Sequence, residues 1–533
     1  MKISLAQINP TVGDIQSNYE LILKHAKIAE KSNAEILITP ELSICGYPPE
    51  DLLLNTDFID ECNNILLKIA KKFPSLIIIV GHPRNYRGSL YNSASILYKG
   101  KIKKTYDKQS LPNYGVFDEK RYFEPGKKSL TFSHKGIKFG LLICEDMWAK
   151  EPIEKLLHVD YIICINASPY EINKYKSRID EFKKRVSLNG STLIYLNLVG
   201  GQDDLLFDGG SFVYNDKHGL LDYIEQFKSK NKIIDTKNII NIDARIYLQK
   251  ILKSQIKFLL DGLILALKDY LSKNSIKNIF IGLSGGIDSA VVLYIASQAC
   301  KKENINAIMM PSKYTSKISL EDAKILANKL GITYKVSPIE QLMSSFNKSL
   351  TKDFKGLKKD ITEENIQARI RGVLLMAYAN KFNGIVLATS NKSEVAVGYS
   401  TIYGDMVGGF SVLKDVPKTM VYRIAEEINV TNEIIPKRII TRPPSAELCR
   451  NQTDQDNLPD YEVLDAIIDL YIEKNISIKN IINKGFSAQV VRKVIKLIHM
   501  SEFKRRQTAP GPKITSKAFG KDRRYPITSK YKS

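Results

Sequence analysis

Short apolar runs alternate with segments whose apolar residues recur at helical spacing along most of the chain. In the first part, strands are predicted at residues 3–8, 35–40, 76–80, 139–143, 161–166 and 192–198, and helices at 19–30 and 51–72. Residues 93–98 and 101–106 read as a hairpin around Lys99-Gly100, and Gly200-Gly201 and Asp208-Gly209-Gly210 read as turns. Residues 228–241 are polar, lysine-rich and without clear periodicity, so they read as a connection between domains 1–240 and 241–533. A long amphipathic helix is expected at 246–271. Strands follow at 279–283, 305–310, 332–336 and 385–388, with a helix at 320–330 stopped by Gly331. Residues 344–364 read as a mobile loop or lid, and a further helix starts at Glu364. Strand–helix alternation in this half indicates an α/β fold with a doubly wound parallel sheet.

Composition narrows the class. At 533 residues, two large domains or three small ones are expected, and 44% hydrophobic with 26% charged residues is ordinary for a globular protein. No apolar stretch reaches membrane-spanning length, and the opening run is too short and polar for a signal peptide. Cys45, Cys62, Cys144, Cys164, Cys300 and Cys449 form no C-x-x-C pair, which suits a reducing cytoplasm. The net charge of +22 suits nucleic acid, but equally solvated lysine-rich faces and a site for anionic nucleotides, and no RNA-binding signature accompanies it.

Two stretches carry chemistry. Gly282-Leu283-Ser284-Gly285-Gly286-Ile287-Asp288-Ser289 joins a buried strand to a helix start through a glycine turn. Backbone N–H groups and the helix dipole favour phosphate there, and Asp288 beside that anion calls for a cation such as Mg2+. The lysine of a Walker P-loop is missing. In the first half, Glu41, Lys108 and Cys144 follow three separate predicted strands. A thiolate nucleophile, a carboxylate to move its proton and an ammonium to stabilise developing charge would make a covalent catalyst. Each alone also reads as an ordinary core or solvated residue.

The Ser284–Ser289 loop resembles that of the ATP pyrophosphatases, which cleave ATP between its α- and β-phosphates. Pro40-Glu41-Leu42, Asp107-Lys108-Gln109-Ser110-Leu111-Pro112, Tyr114-Gly115-Val116-Phe117-Asp118-Glu119 and Leu142-Ile143-Cys144-Glu145-Asp146-Met147-Trp148 resemble the nitrilase-type amidases. More narrowly, they resemble the glutaminase domain of the glutamine-dependent NAD+ synthetases. That resemblance implies an α-β-β-α sandwich followed by a Rossmann-like pyrophosphatase domain. It implies Glu41, Lys108 and Cys144 as the triad, with Tyr114, Glu145, Ser168 and Lys174 on glutamine. In the second half it implies ATP on Gly282–Ser289, Thr389 and Ser445, the last where some relatives carry threonine. It further implies deamido-NAD+ on Asn365, Arg369, Glu394, Asp405, Lys418, Lys517 and Arg523, and Mg2+ on Asp288 and Glu394. Glutamine, ATP and deamido-NAD+ are then the partners, in a cytoplasmic homo-oligomer with neither nucleic acid nor membrane. An internal passage for ammonia is also chemically motivated, because at neutral pH free ammonia in water is mostly unreactive ammonium.

Two rivals share the phosphate loop: enzymes that adenylate tRNA bases, and GMP synthetase-type amidotransferases with a Cys-His-Glu glutaminase. The intact glutaminase motifs speak against the first, and no such second triad is visible. A non-catalytic descendant would be expected to have lost Glu41, Lys108, Cys144 or Asp288, and all four stand.

Overall fold

Successive side chains of a strand leave on opposite faces, and the first sheet uses both. Ile3, Leu5, Ile36, Ile38, Ile77 and Ile79 share one core with Leu141, Ile143, Ile163, Ile165 and Leu193 of a second sheet. Their neighbours Ala6, Leu37, Ile78 and Val80 enter another core, with Ile22, Ala26, Ile65 and Ile69 of the helices Ile15–Lys31 and Thr56–Lys72. The computed structural model describes residues 1–531 apart from 157, 188, 189, 242 and 451. It divides into two units, Met1–Phe258 and Leu259–Ser533.

In the first unit, one six-stranded sheet runs in the order Lys230–Asp235, Lys2–Gln7, Ile36–Ile38, Ile77–Tyr86, Ser89–Tyr98, Lys101–Asp107. The other runs Gly219–Tyr223, Phe212–Asn215, Thr192–Asn197, Tyr161–Asn166, Ile137–Ile143, Leu130–His134. This is the expected nitrilase-like α-β-β-α sandwich. The adjacent strands Ile36–Ile38 and Ile77–Tyr86 are parallel, as are Ile137–Ile143, Tyr161–Asn166 and Thr192–Asn197. Their carboxyl ends therefore gather the residues that follow them, where sheet proteins build sites.

The second unit holds five strands, Thr333–Val336, Ile305–Met309, Asn278–Gly282, Gly384–Ala388 and Phe410–Ser411, all paired in parallel. This is the doubly wound sheet. Among the described residues, no helix is long and apolar enough to cross a membrane.

Four sequence expectations change. Lys230–Asp235, within the supposed connection, is an edge strand antiparallel to Lys2–Gln7, with only Ile234 of its six residues buried. Its lysines suit an exposed edge and hide the strand signal. Gly200-Gly201 is no turn but lies in the strand Val199–Gln202, where a Cβ on Gly200 would fall 2.1 Å from Asn9 Oδ1. The long helix at 246–271 is two helices, Asp243–Lys253 and Gln255–Lys273. The supposed lid begins as the helix Glu340–Leu350, with Met343 buried, and ends in the helix Ile361–Lys381, capped by Asp360 and Glu363.

Two candidate active sites

Glu41 follows the strand Ile36–Ile38, Lys108 the strand Lys101–Asp107, and Cys144 the strand Ile137–Ile143. All three are buried. The Lys108 ammonium donates to Glu41 Oε1 at 2.7 Å and to Glu119 Oε1 at 2.8 Å. Glu41 also accepts from Asn92 Nδ2 and from the Ala167 N–H, both at 2.8 Å. Three donors thus hold this carboxylate in one orientation. Burial alone would lower the Lys108 pKa, but Glu119 and Glu41 hold it well above its usual value.

Glu119 is the residue that sequence reasoning left without a role. Burial pushes its carboxyl up to about 7, against the downward pull of Lys108, and Tyr47 OH donates to it at 2.9 Å. It lies in a loop motif with no periodic signal, and only its buried contact with Lys108 reveals it.

Cys144 adopts a left-handed backbone, φ 46°, uncommon for a side-chain-bearing residue, at the start of the turn Cys144–Met147. Burial raises its thiol pKa, the Glu41 charge adds to that, and Lys108 opposes it. A neutral thiol beside a fixed carboxylate is a nucleophile that gives up its proton as it attacks. Asp146 ties this turn to the Lys108 segment. It accepts from the N–H groups of Gln109 at 3.0 Å, Ser110 at 2.7 Å and Ile143 at 3.1 Å, and from Tyr106 OH at 2.8 Å.

Of the expected glutamine residues, Tyr114 and Glu145 line a cavity of about 800 Å³ that also takes in Trp148, Phe123 and Lys120. Tyr114 OH is 3.1 Å from each Glu145 carboxylate oxygen. Burial raises the Glu145 carboxyl, and the Tyr114 hydroxyl and the charges of Lys108 and Lys174 partly offset this. Ser168 is buried at the end of the strand Tyr161–Asn166 and does not line that cavity.

In the second unit, the phosphate loop leaves the strand Asn278–Gly282 and enters the helix Ile287–Ala299, two residues earlier than the sequence suggests. Gly285 has φ +81°, and a Cβ there would sit 2.5 Å from the Ser319 carbonyl oxygen, so only glycine fits. The Gly286 N–H donates to Ser284 Oγ at 3.2 Å, and Ser289 Oγ donates to the Gly286 carbonyl at 3.0 Å.

Two adjoining cavities meet at this loop. One, of about 230 Å³, is lined by Gly282, Leu283 and apolar residues such as Ile308, Met310 and Leu375, with Arg371. The other, of about 170 Å³, is lined by Gly286, Ile287, Asp288, Ser289, Glu394 and Lys418. Ser284, Thr389, Asp405 and Ser445 line both. An apolar compartment beside a charged one suits a nucleotide, base in the first and phosphates in the second. Arg442 reaches from the far wall to donate to the Gly285 carbonyl at 3.0 Å.

Asp288 and Glu394 face each other across Lys418. The Lys418 ammonium is 2.5 Å from Asp288 Oδ2 and 3.3 Å from Glu394 Oε1, and Asn391 Nδ2 donates to Asp288 Oδ1 at 2.9 Å. Burial pushes the Glu394 carboxyl up to about 8, against Lys418 and with the help of Asp288. Burial likewise raises Asp405 to about 6. No group of three or more candidate metal ligands is preformed among the described residues. Two hard carboxylates lining one charged cavity are nonetheless a donor set that fits Mg2+, an ion that takes few protein oxygens and completes its shell with phosphate and water.

The remaining expected residues lie away from these cavities. Asn365 Oδ1 accepts from Thr401 Oγ1 at 2.8 Å, and Arg369 Nε donates to the Ile402 carbonyl at 3.3 Å. Lys517 Nζ donates to Asn475 Oδ1 at 2.9 Å. Arg523 is half-buried in an ion pair with Glu502 at 2.7 Å, its guanidinium 4.5 Å from the Tyr525 ring centroid.

Fold and geometry together define a two-headed enzyme: a thiol amidohydrolase site on one unit and a nucleotide-activating site on the other. The carbon-nitrogen hydrolase family matches residues 2–219, and the NAD synthase family matches residues 259–508. The glutamine-dependent NAD(+) synthetase of Acinetobacter baylyi is 45% identical over 99% of this chain and 98% of its own. That of Aquifex aeolicus is 42% identical over the whole of both. The solved Acinetobacter baumannii glutamine-dependent NAD+ synthetase, in complex with ADP, aligns with a TM-score of 0.79 at 41% identity, covering 99% of this chain and 98% of that one. The chain belongs to the glutamine-dependent NAD+ synthetase family.

Proposed function

We propose that this chain makes NAD+ by amidating deamido-NAD+ at the expense of ATP, with ammonia taken from glutamine. Cys144 Sγ attacks the carboxamide carbon of glutamine while Glu41 takes the thiol proton. Glu41 passes that proton to the departing nitrogen, the C–N bond breaks, and ammonia leaves a thioester on Cys144. Lys108, fixed between Glu41 and Glu119, stabilises the charge that develops on the carbonyl oxygen. Water then attacks the thioester, releasing glutamate and restoring the thiol. Tyr114, Glu145, Ser168 and Lys174 hold the substrate.

In the second site the nicotinate carboxylate attacks the α-phosphorus of ATP, and pyrophosphate leaves into the Ser284–Ser289 loop. Ammonia attacks the resulting acyl adenylate, AMP departs, and a proton is lost to give the amide. Thr389 and Ser445 position ATP, and Lys418 neutralises phosphate charge once released from Asp288. Asp288 and Glu394 would hold Mg2+, which supplies charge neutralisation for the polyphosphate. Asn365, Arg369, Asp405, Lys517 and Arg523 are assigned to deamido-NAD+. The enzyme works in the cytoplasm as a homo-oligomer and needs neither nucleic acid nor membrane.

The observation that carries this reading is the Glu41–Lys108–Glu119 cluster beside Cys144 in the same chain as a lysine-free phosphate loop facing Asp288 and Glu394. Turnover with deamido-NAD+, ATP and glutamine tests it. NAD+, AMP, pyrophosphate and glutamate are the expected products, and ADP with phosphate would overturn the adenylate.

A further inference from the structure

The helix Lys174–Ser187 carries six basic residues, and Arg178 alone among them is buried. Burying a guanidinium is costly unless its donors are used; both terminal nitrogens of Arg178 are, while its Nε has no hydrogen-bond partner among the described residues. Nη1 of Arg178 donates to both oxygens of Asp208 at 2.9 Å. Nη2 donates to the Ser168 carbonyl at 3.1 Å, to Ser168 Oγ at 3.3 Å and to the Pro169 carbonyl at 3.2 Å. Asp208 is itself steadied by Gln226 Nε2 at 2.7 Å and Asn197 Nδ2 at 3.3 Å. Asn197 holds Ser168 from a second side, accepting from its N–H at 2.9 Å and donating to its carbonyl at 3.1 Å.

The residue before Ser168 matters as much, because the Ala167 N–H donates to Glu41 Oε2 at 2.8 Å. One turn therefore touches the catalytic carboxylate at its first residue and is clamped by a buried guanidinium at the next two. A pair serving stability alone would need only Nη1. Here Nη2 is given to two successive carbonyls and the hydroxyl of one turn, a fork that lysine cannot reproduce.

We propose that Arg178, anchored by Asp208, is the positioning residue for glutamine recognition, setting the 167–169 turn so that Ser168 meets the substrate. This rests on the reading of Ser168 as a glutamine-binding residue and assigns its regulation to a side chain that does not touch glutamine. The burden falls on substrate binding, because Glu41 keeps its bonds to Lys108 and Asn92 when the turn shifts.

Arg178→Lys and Asp208→Asn in the full-length enzyme provide the test, with glutamate release and NAD+ formation measured against glutamine and against ammonium. Losing one well-made buried hydrogen bond corresponds to about a tenfold change, so the KM for glutamine rises about tenfold or more in both variants. The kcat for glutamine stays within about threefold, since the thiol is untouched and Glu41 keeps two of its three donors. Ammonium-dependent NAD+ formation stays at the parent level. Trp148, the only tryptophan, packs against Phe182 of the same helix at 5.0 Å, so its emission reports on the fold of this region. An unchanged KM in both variants overturns the proposal. So does loss of glutamine hydrolysis with shifted Trp148 emission, which would make Arg178 a structural strut only. Failure of the parent enzyme to hydrolyse glutamine at all would instead overturn the function on which the proposal stands.

Discussion

Burial raises the pKa of the Cys144 thiol and the Glu41 charge adds to that, against the pull of Lys108. Neither Glu41 nor Lys108 can replace sulfur as the nucleophile. In Cys144→Ala, glutamine-dependent NAD+ synthesis is expected to fall to background, while ammonium at raised pH restores it. Loss of one buried sulfur should cost about 1–2 kcal/mol, within reach of a melting experiment. Surviving glutamine-dependent activity would place the nucleophile elsewhere. Two buried histidines, His25 and His82, bear on acid stability, each lowered to about 4 by burial. His82 is buried between Ser95 Oγ, 2.8 Å from Nε2, and the Pro83 carbonyl, 3.0 Å from Nδ1, and burial lowers its pKa to about 4. It stays neutral in the fold but takes up a proton near its ordinary 6.5 once unfolded, so stability is lost as pH falls from 6.5 towards 4. His82→Gln should flatten unfolding free energy across that window, measured by denaturant titration at successive pH values. An unchanged slope would exclude His82 as a source of acid lability. At this scale Glu41 and Cys144 were legible because each follows an apolar run, and Lys108 because it follows the second strand of a hairpin. Glu119 and Arg178 were not, since a buried charge in a loop or on a polar helix has the same sequence signature as a solvated one.

At the scale of elements, the C-terminal segment is where composition misleads most. Ten basic residues among the last thirty suggest a loose tail. Instead Ile514 and Thr515 donate their N–H groups to the buried Asp415 at 2.8 Å, and Thr515 Oγ1 accepts from the buried Lys392 at 2.6 Å. Lys392 also donates to the Lys517 carbonyl at 3.0 Å. The segment is thereby fastened to the helix Lys392–Val397, which carries Glu394. Truncation after Arg506 would strip Asp415 of three donors, at about 1–3 kcal/mol for a buried group left unpaired. A lowered melting temperature is expected before any kinetic effect can be read. Lys517→Ala is the cleaner variant: among the described residues its Nζ meets only Asn475, so stability should hold within about 0.5 kcal/mol. The KM for deamido-NAD+ should rise with glutamine hydrolysis unchanged, and an unaltered KM would remove Lys517 from the dinucleotide site. Of the other elements missed, the edge strand Lys230–Asp235 holds two lysines in six residues, while the helix Glu340–Leu350 holds one lysine and five uncharged polar residues in eleven. Solvent-facing polar residues at an edge or on an exposed face dilute the apolar period on which a sequence pattern depends.

At the scale of the molecule, each unit has its own sheet structure and its own cavities, and each group of candidate site residues falls within one unit. The net charge of +22 remains compatible with nucleic acid by itself, but both family matches fall on catalytic units. Separability follows from the chemistry, and Asp288 is the place to test it. Its carboxylate holds Lys418 at 2.5 Å, accepts from Asn391 at 2.9 Å and helps keep the Glu394 carboxyl near 8. Asparagine keeps the size and can still accept from Asn391, but it removes the charge that would meet a cation on the polyphosphate. In Asp288→Asn, NAD+ formation should fall about 10²–10³-fold or more with glutamine and with ammonium alike. Glutamate release should persist, because Glu41, Lys108, Glu119 and Cys144 are all on the other unit. Near-normal synthesis from ammonium in this variant would reduce the phosphate loop to a structural turn. Loss of glutamate release together with synthesis, in a protein that melts normally, would show that hydrolysis waits on an intact nucleotide site.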